Sequence, residues 1–221
     1  MWRLYQFTLC PFSRAVRFGL LEKGVVFELV DCFPWERGEE LTRLNPAAQT
    51  PVLENGSLVL ADSTAILEYF DETVEKAPLL GAGAAERAEA RRLATWFREK
   101  FFAEVTAPLM RERMWKRVVA RDMPDGRVIR EAARACEAHL QYAESLLMES
   151  RWLAGPTFGL ADIHAAAQLS VADYLAGVDW AGHSQVKQWY QALKSRPAMR
   201  VILGERMEGI RPPAHYDDPD F

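Results

Sequence analysis

LNPAAQTPVLENGSLVLADSTAILEYF, residues Leu44–Phe70, reads as loop, strand, tight turn, strand and capped helix, and the rest of the chain is organised around it. Pro51 opens the first strand, Pro51 to Glu54, where a proline removes no ladder hydrogen bond. Thr50-Pro51 is a candidate cis peptide, because proline lowers the cis cost to about 0.5–1 kcal/mol. Asn55-Gly56 tolerates the positive φ of a two-residue hairpin turn, so Ser57 to Leu60 returns as the partner strand. A helix follows, with Ile66, Leu67 and Phe70 on one apolar face. Asp62 or Ser63 stands at its N-terminus, ready to accept backbone N–H groups. Free N–H groups and the helix dipole also make such an end a good seat for a carboxylate.

This segment resembles the second half of the thioredoxin-like domain of glutathione transferases. The match lies in LNPxxxxPVL, the hairpin and the acid-Ser-x-Ala-Ile helix start. The resemblance implies a pocket in which Thr50, before the cis Pro51, offers backbone hydrogen bonds to the cysteinyl part of glutathione. It also implies that Asp62 and Ser63 hold the γ-glutamyl end.

Working back toward the N-terminus, Trp2 to Leu9 reads as a strand with Leu4 and Phe7 or Leu9 inside. Cys10-Pro11-Phe12-Ser13 is a turn into a helix from about Ser13 to Lys23, with Val16, Leu20 and Leu21 inward and Gly24 as its stop. Val25 to Val30 is a second strand. The loop CFPWERG, residues 32–38, leads to a short helix at Glu39 to Leu44. The order βαβα then ββα predicts a thioredoxin-like α/β domain over residues 1–75. Cys10 sits where a helix N-terminus stabilises a thiolate. TLCPFSRAVR is similar to the active-site turn of cysteine-type transferases of the omega and beta kind, which would place Cys10 on the glutathione sulfur, with Ser13 as second choice. No CxxC is present, so ordinary dithiol chemistry is excluded at this turn. Two positions depart from the family. Ala48-Gln49 stands where a basic pair commonly meets the glycyl carboxylate of glutathione, and charge-assisted bonds are about twice as strong as neutral ones. Asp62 replaces the commoner Glu. Arg14, Arg17 or Arg43 are candidates to compensate.

Beyond the hairpin domain, residues 76–84 read as a linker and 85–204 as an all-helical domain, completing the glutathione transferase fold. Ala85 to Met114 carries Leu93, Trp96, Phe97, Phe101 and Val105 at helical spacing, with Pro108 expected to bend or break it. Arg111 to Arg117, RERMWKR, is a basic cluster, and MPDG at Met123–Gly126 is a turn. Val128 to Met148 is a helix with Ile129, Ala133, Cys136, Leu140 and Leu147 inward. FGLADIHAAAQL resembles the family's core helix. Asp162 supplies the box acid and Gly159 the N-cap, while His164 reads as core. Val171 to Leu175, Val186 to Leu193 and an Arg196-Pro197 helix start complete the set.

The tail, residues 205–221, ends in PPAHYDDPDF. Pro212-Pro213 favours an extended course. Asp217, Asp218 and Asp220 interleave with Tyr216 and Phe221, a pattern that suits docking on the body or on a partner. Trp35 in the 32–38 loop is expected to be exposed, a good interface anchor. With the CPFSRAVR turn and the altered basic pair, these features are similar to a branch of transferase-like division proteins of alphaproteobacteria that bind FtsZ filaments. That resemblance implies a homodimeric, non-catalytic adaptor acting at the division site. Trp35, Tyr216, Asp217, Asp218 and Phe221 would contribute to partner binding, directly or by bracing the tail. The resemblance implies that no cofactor is required, with glutathione binding possible but expected to be weak or absent. The alternative is a cysteine-type glutathione transferase or thiol-disulfide reductase using Cys10.

Composition agrees with this class. The chain has 221 residues, 49% hydrophobic and 26% charged, with net charge −4. That is ordinary for a globular protein of two modest domains and gives no footprint for nucleic acid. No signal peptide and no apolar run of membrane-span length are read, so membrane insertion is not expected. Cys10, Cys32 and Cys136 are too scattered for a disulfide framework, and no metal set is apparent, so a cytoplasmic setting is the expectation.

Overall fold

The hairpin forms as its turn chemistry dictates. Val52–Asn55 (β3) pairs antiparallel with Leu58–Ala61 (β4), and Gly56 takes a left-handed φ of 62° at the turn. A computed structural model describes residues 1–36 and 38–221; of the loop read at 32–38, Arg37 lies outside the described residues. The chain divides into two units, Met1–Leu79 and Leu80–Phe221.

In the first unit the sheet order is β2-β1-β3-β4. Trp2–Gln6 (β1) runs parallel to Phe27–Asp31 (β2) and antiparallel to β3. Pro11–Lys23 (α1) packs against Ser63–Thr73 (α3), and Glu39–Leu44 (α2) precedes the hairpin. Strand alternation sends Tyr5 and Val52 to a cluster with Leu41, and their neighbours Leu4 and Leu53 to the other face. β1 stops at Gln6, not Leu9. The Cys10 N–H donates to the Phe7 carbonyl at 2.9 Å and Arg14 Nε to the Thr8 carbonyl at 2.8 Å, which turns the chain out of the sheet. Phe7 and Leu9 are nevertheless both buried. Leu21 is only half-buried, because the inner stripe of α1 runs through Val16, Leu20 and Lys23 at helical spacing. Lys23 Nζ donates to the carbonyls of Val74, Lys76 and Ala77 and pairs with Asp71 at 3.0 Å, folding the expected linker's first residues back onto this unit.

The second unit is helical: Ala84–Thr95 (α4), Ala107–Leu109 (α5), Gly126–Glu149 (α6), Leu160–Tyr174 (α7), Ser184–Lys194 (α8) and Pro197–Leu203 (α9). Pro108 does not break its helix. Trp96–Thr106 and Met110–Ala120 on either side of α5 wind as π turns, and helical geometry persists to Ala120. The wider turns relieve the clash that a proline ring makes with the i−4 carbonyl. The buried stripe of α6 is Ala132, Cys136, His139, Leu140, Ala143 and Leu147, and Ala133 faces outward, one position off the expected stripe. Every residue of α7 is buried, including Val171 to Tyr174, which continue that helix.

Candidate functional site

The turn at Cys10 is built by its own helix. Cys10 caps α1, its Sγ accepting from the Ser13 N–H at 3.5 Å, and its thiol donates to the Thr50 carbonyl oxygen at 3.7 Å. Cys10 is 8% exposed. Thr50-Pro51 is cis. The loop before it is braced by Asn45, whose Nδ2 donates to the Gln49 carbonyl at 2.9 Å and whose Oδ1 accepts from the Ala47 N–H at 3.1 Å. Ala48 beside it sits at φ 51°. At the start of α3, Asp62 is held at φ 77°, a strained backbone for a residue with a Cβ. Its Oδ1 accepts from the Thr64 N–H at 2.8 Å and the Ala65 N–H at 3.1 Å. Ser63 Oγ and Ser13 Oγ are buried with no hydrogen-bond partner among the described residues. A buried unsatisfied hydroxyl costs about 1–3 kcal/mol, which a polar ligand could recover.

The candidate cations are engaged elsewhere. Arg14 and Arg17 are buried in α1, Arg14 on the Thr8 carbonyl and Arg17 Nη1 on Gln6 Oε1 at 3.4 Å. Arg43 is 65% exposed and reaches Glu54 at 3.8 Å. Gln49 is exposed and neutral. Trp35 is half-buried, not exposed. It stacks on Phe33 at 5.2 Å and meets Phe7 edge-on at 5.6 Å, and Phe33 is the exposed ring of the loop. On the sheet's other face the Tyr5 hydroxyl lies 2.7 Å from Glu40 Oε1 and 3.0 Å from Glu54 Oε2. Burial and the two carboxylates push its pKa up.

The tail is docked within the second unit. The Tyr174 hydroxyl donates to the Ile210 carbonyl at 3.0 Å and accepts from the Met207 N–H at 2.8 Å, which fixes the turn between those residues. Tyr216 is fully buried, edge-on to Tyr174 at 5.0 Å, so it braces the tail from inside and does not face a partner. Asp217 pairs with Arg206. Lys194, on α8, donates to the carbonyls of His215 at 2.8 Å and Asp218 at 3.2 Å, and its Nζ lies 3.6 Å from the centre of the Phe221 ring. Phe221 also meets Trp180 at 5.1 Å and His215 at 5.3 Å. Behind this cage the buried Asp173 carboxylate accepts from Trp180 Nε1 at 3.1 Å, binds His215 Nε2 at 2.8 Å and lies 4.0 Å from Lys194. Burial pushes the Asp173 carboxyl up and the Lys194 ammonium down to about 8, against the pull of their mutual attraction. Asp217, Asp218 and Asp220 are exposed. Among the described residues no His, Cys, Asp and Glu group is arranged to hold a metal ion, and no helix is long and apolar enough to cross a membrane. Asn45, Asp173 and Lys194 are the positioning residues that the sequence did not single out; their types are ordinary, and only tertiary placement gives them work.

Comparison with known proteins assigns the family. Residues 4–78 match the glutathione S-transferase N-terminal domain and residues 107–197 the glutathione S-transferase C-terminal domain. FtsZ-localized protein A of Caulobacter vibrioides is 46% identical over 99% of this chain and 97% of its own length. Among solved structures, a glutathione S-transferase from Rhodospirillum rubrum F11 is 45% identical with a TM-score of 0.96, covering 100% of both chains. FzlA from C. crescentus is 46% identical with a TM-score of 0.96, over 100% of this chain and 99% of that one. On these matches and the thioredoxin-like sheet followed by helices, the chain belongs to the glutathione S-transferase family.

Proposed function

We propose that this chain is a non-catalytic, transferase-fold adaptor that binds FtsZ filaments and regulates bacterial cell division. It acts as a homodimer in the cytoplasm at the division site. The observation that carries the reading is the 46% identity to FtsZ-localized protein A over 99% of the chain, tail included. The site around Cys10 supports it: Gln49 is neutral, Arg14 and Arg17 are turned inward, and the glycyl carboxylate of glutathione is left without their charge. The docked tail supports it too, since it holds the carboxylates of Asp217 and Asp218 on a rigid surface. Two weak sites on one dimer would bind a filament strongly by raising effective concentration.

The test is co-sedimentation of the pure protein with polymerised FtsZ of the same organism. Saturable pelleting is expected, with loss on removal of Tyr216–Phe221. Absence of pelleting across a range of salt would sink the adaptor reading. A second reading, a cysteine-type glutathione transferase or thiol-disulfide reductase, is favoured by the Cys10 thiol bonded to the Thr50 carbonyl and by the unsatisfied Ser63 hydroxyl. Calorimetry with glutathione decides it: heat that saturates and vanishes in Ser63→Ala supports that reading.

A further inference from the structure

The tail's first half builds a groove with charges of its own. Between the Arg206–Ala214 segment and Arg117, near the end of the second π stretch, lies an open cavity of about 750 Å³. Its floor is apolar, from Met207 and Ile210, and one wall is the extended Pro212-Pro213. That wall is rigid. The Tyr174 hydroxyl holds both ends of the Met207–Ile210 turn, and Gly209, at φ 81°, brings the turn close to Val118, whose Cγ2 would lie 3.9 Å from a Cβ placed there.

The charge of the groove runs against the net charge of the chain. Arg117, Arg206 and Arg211 line it with one acid, Asp217, and that acid is already paired with Arg206. Arg206 also donates to the Leu203 carbonyl at 2.7 Å and the Glu205 carbonyl at 2.9 Å, so it is part of the wall. Arg117 and Arg211 are exposed and have no carboxylate partner among the described residues. Two unspent guanidinium groups flanking an apolar floor match carboxylates flanking an apolar side chain. Each guanidinium presents a planar fork suited to a carboxylate, and the preformed proline wall spares a bound segment part of the ordering cost.

We propose that this groove is a docking site for an extended acidic peptide segment that carries an aromatic or aliphatic anchor. The carboxylates pair with Arg117 and Arg211, and the anchor lies on Met207 and Ile210. The assignment goes beyond the filament reading and does not depend on which protein carries the segment, so failure to pellet with FtsZ would leave it standing.

The experiment is fluorescence anisotropy of the full chain with a fluorescein-labelled decapeptide of aspartate and glutamate around one central phenylalanine. Two control peptides are used, one with asparagine and glutamine in place of the acids, one with glycine in place of the phenylalanine. Expected is micromolar binding of the acidic peptide that weakens with added salt, at least tenfold weaker binding of either control, and at least a tenfold loss in Arg117→Ala/Arg211→Ala. The two side chains are exposed, so the unfolding midpoint of that variant should match the parent. Equal binding of the neutral control, or an unchanged affinity in the double variant, overturns the proposal. So does binding confined to phosphatidylglycerol vesicles and lost in the same variant, which would assign the arginines to a lipid surface.

Discussion

The Cys10 turn and the docked tail place polar groups in the interior in different ways. At the Cys10 turn, two hydroxyls, Ser13 and Ser63, are buried without hydrogen-bond partners among the described residues, while Arg14 Nε donates to the Thr8 carbonyl and Arg17 Nη1 to Gln6 Oε1. In the tail seam, Asp173 Oδ1 is shared by Trp180 and His215 and an aromatic ring covers the Lys194 cation, while Asp173 Oδ2, 4.0 Å from Lys194, is buried without a hydrogen-bond partner among the described residues. Unsatisfied hydroxyls leave room for a ligand to contribute; a network that ties several elements together contributes to rigidity. The tail seam draws its polar groups from α7, α8 and the tail itself.

The largest test breaks that network at its centre. Asp173→Ala removes the acceptor of Trp180 and His215 and leaves Lys194 buried beside a void. Removing one partner of a buried pair costs about 3–5 kcal/mol. Urea unfolding followed by tryptophan fluorescence should show a loss of that size, and a loss under about 1 kcal/mol would mean that the network is ornamental.

The next test reads the same seam through pH. Lys194 has a folded pKa of about 8 against an ordinary 10.5. Below pH 8 the ammonium is charged in both states and its burial weakens the fold. Between about 8 and 10.5 the unfolded chain binds more protons, so this group makes stability rise with pH across that window. Asp173 acts in the other direction: its raised carboxyl favours the protonated fold, a contribution lost as pH rises through its folded value. Stability curves of parent and Lys194→Met should therefore converge or cross on the alkaline side, and parallel curves from pH 8 to 10.5 would refute the assignment.

These two residues also show where reading the sequence stops. The hairpin, the cis Pro51 site, the Cys10 turn and the Asp62 cap were legible because each is local: a turn dipeptide, a proline, a capping residue before an apolar face. Burial offsets were less legible. Ala133 was placed inward and Ala132 is the buried one, because several small side chains adjoin on α6 and periodicity alone does not rank them. Pro108 was expected to interrupt its helix, and π turns absorb it, an option set by tertiary packing. Trp35 was read as exposed because it lies in a loop, yet Phe7 and Phe33 supply it with ring partners. The tail was legible in composition but not in course. Its anchors, Asp173 and Lys194, are distant in sequence and unremarkable in type.

Phe221 sharpens the comparison at smaller scale. Its ring sits over Lys194 at 3.6 Å and Lys187 at 4.9 Å and is only partly covered. Phe221→Ala should cost about 1–2 kcal/mol from lost apolar area and cation–π attraction. The change should appear as faster amide exchange confined to residues 205–221, with α7 protection retained. Uniformly faster exchange throughout the second unit would mean that the tail is part of its core and not a latch upon it.

Cys10 is where the smallest effect carries the sharpest distinction. Its Sγ makes one long hydrogen bond to Thr50 and accepts one from Ser13, both weak with sulfur, so Cys10→Ala should cost about 1 kcal/mol or less, the scale of a lost N-cap. If the Cys10 turn is an inherited framework and the tail is the working surface, this variant pellets with FtsZ as the parent does, while the tail truncation does not. If the thiol is the working group, the order reverses: Cys10→Ala abolishes glutathione-dependent turnover, and removal of Tyr216–Phe221 leaves that turnover in place. The two variants lie in different units, and additive stability effects in a double variant would separate loss of function from loss of fold.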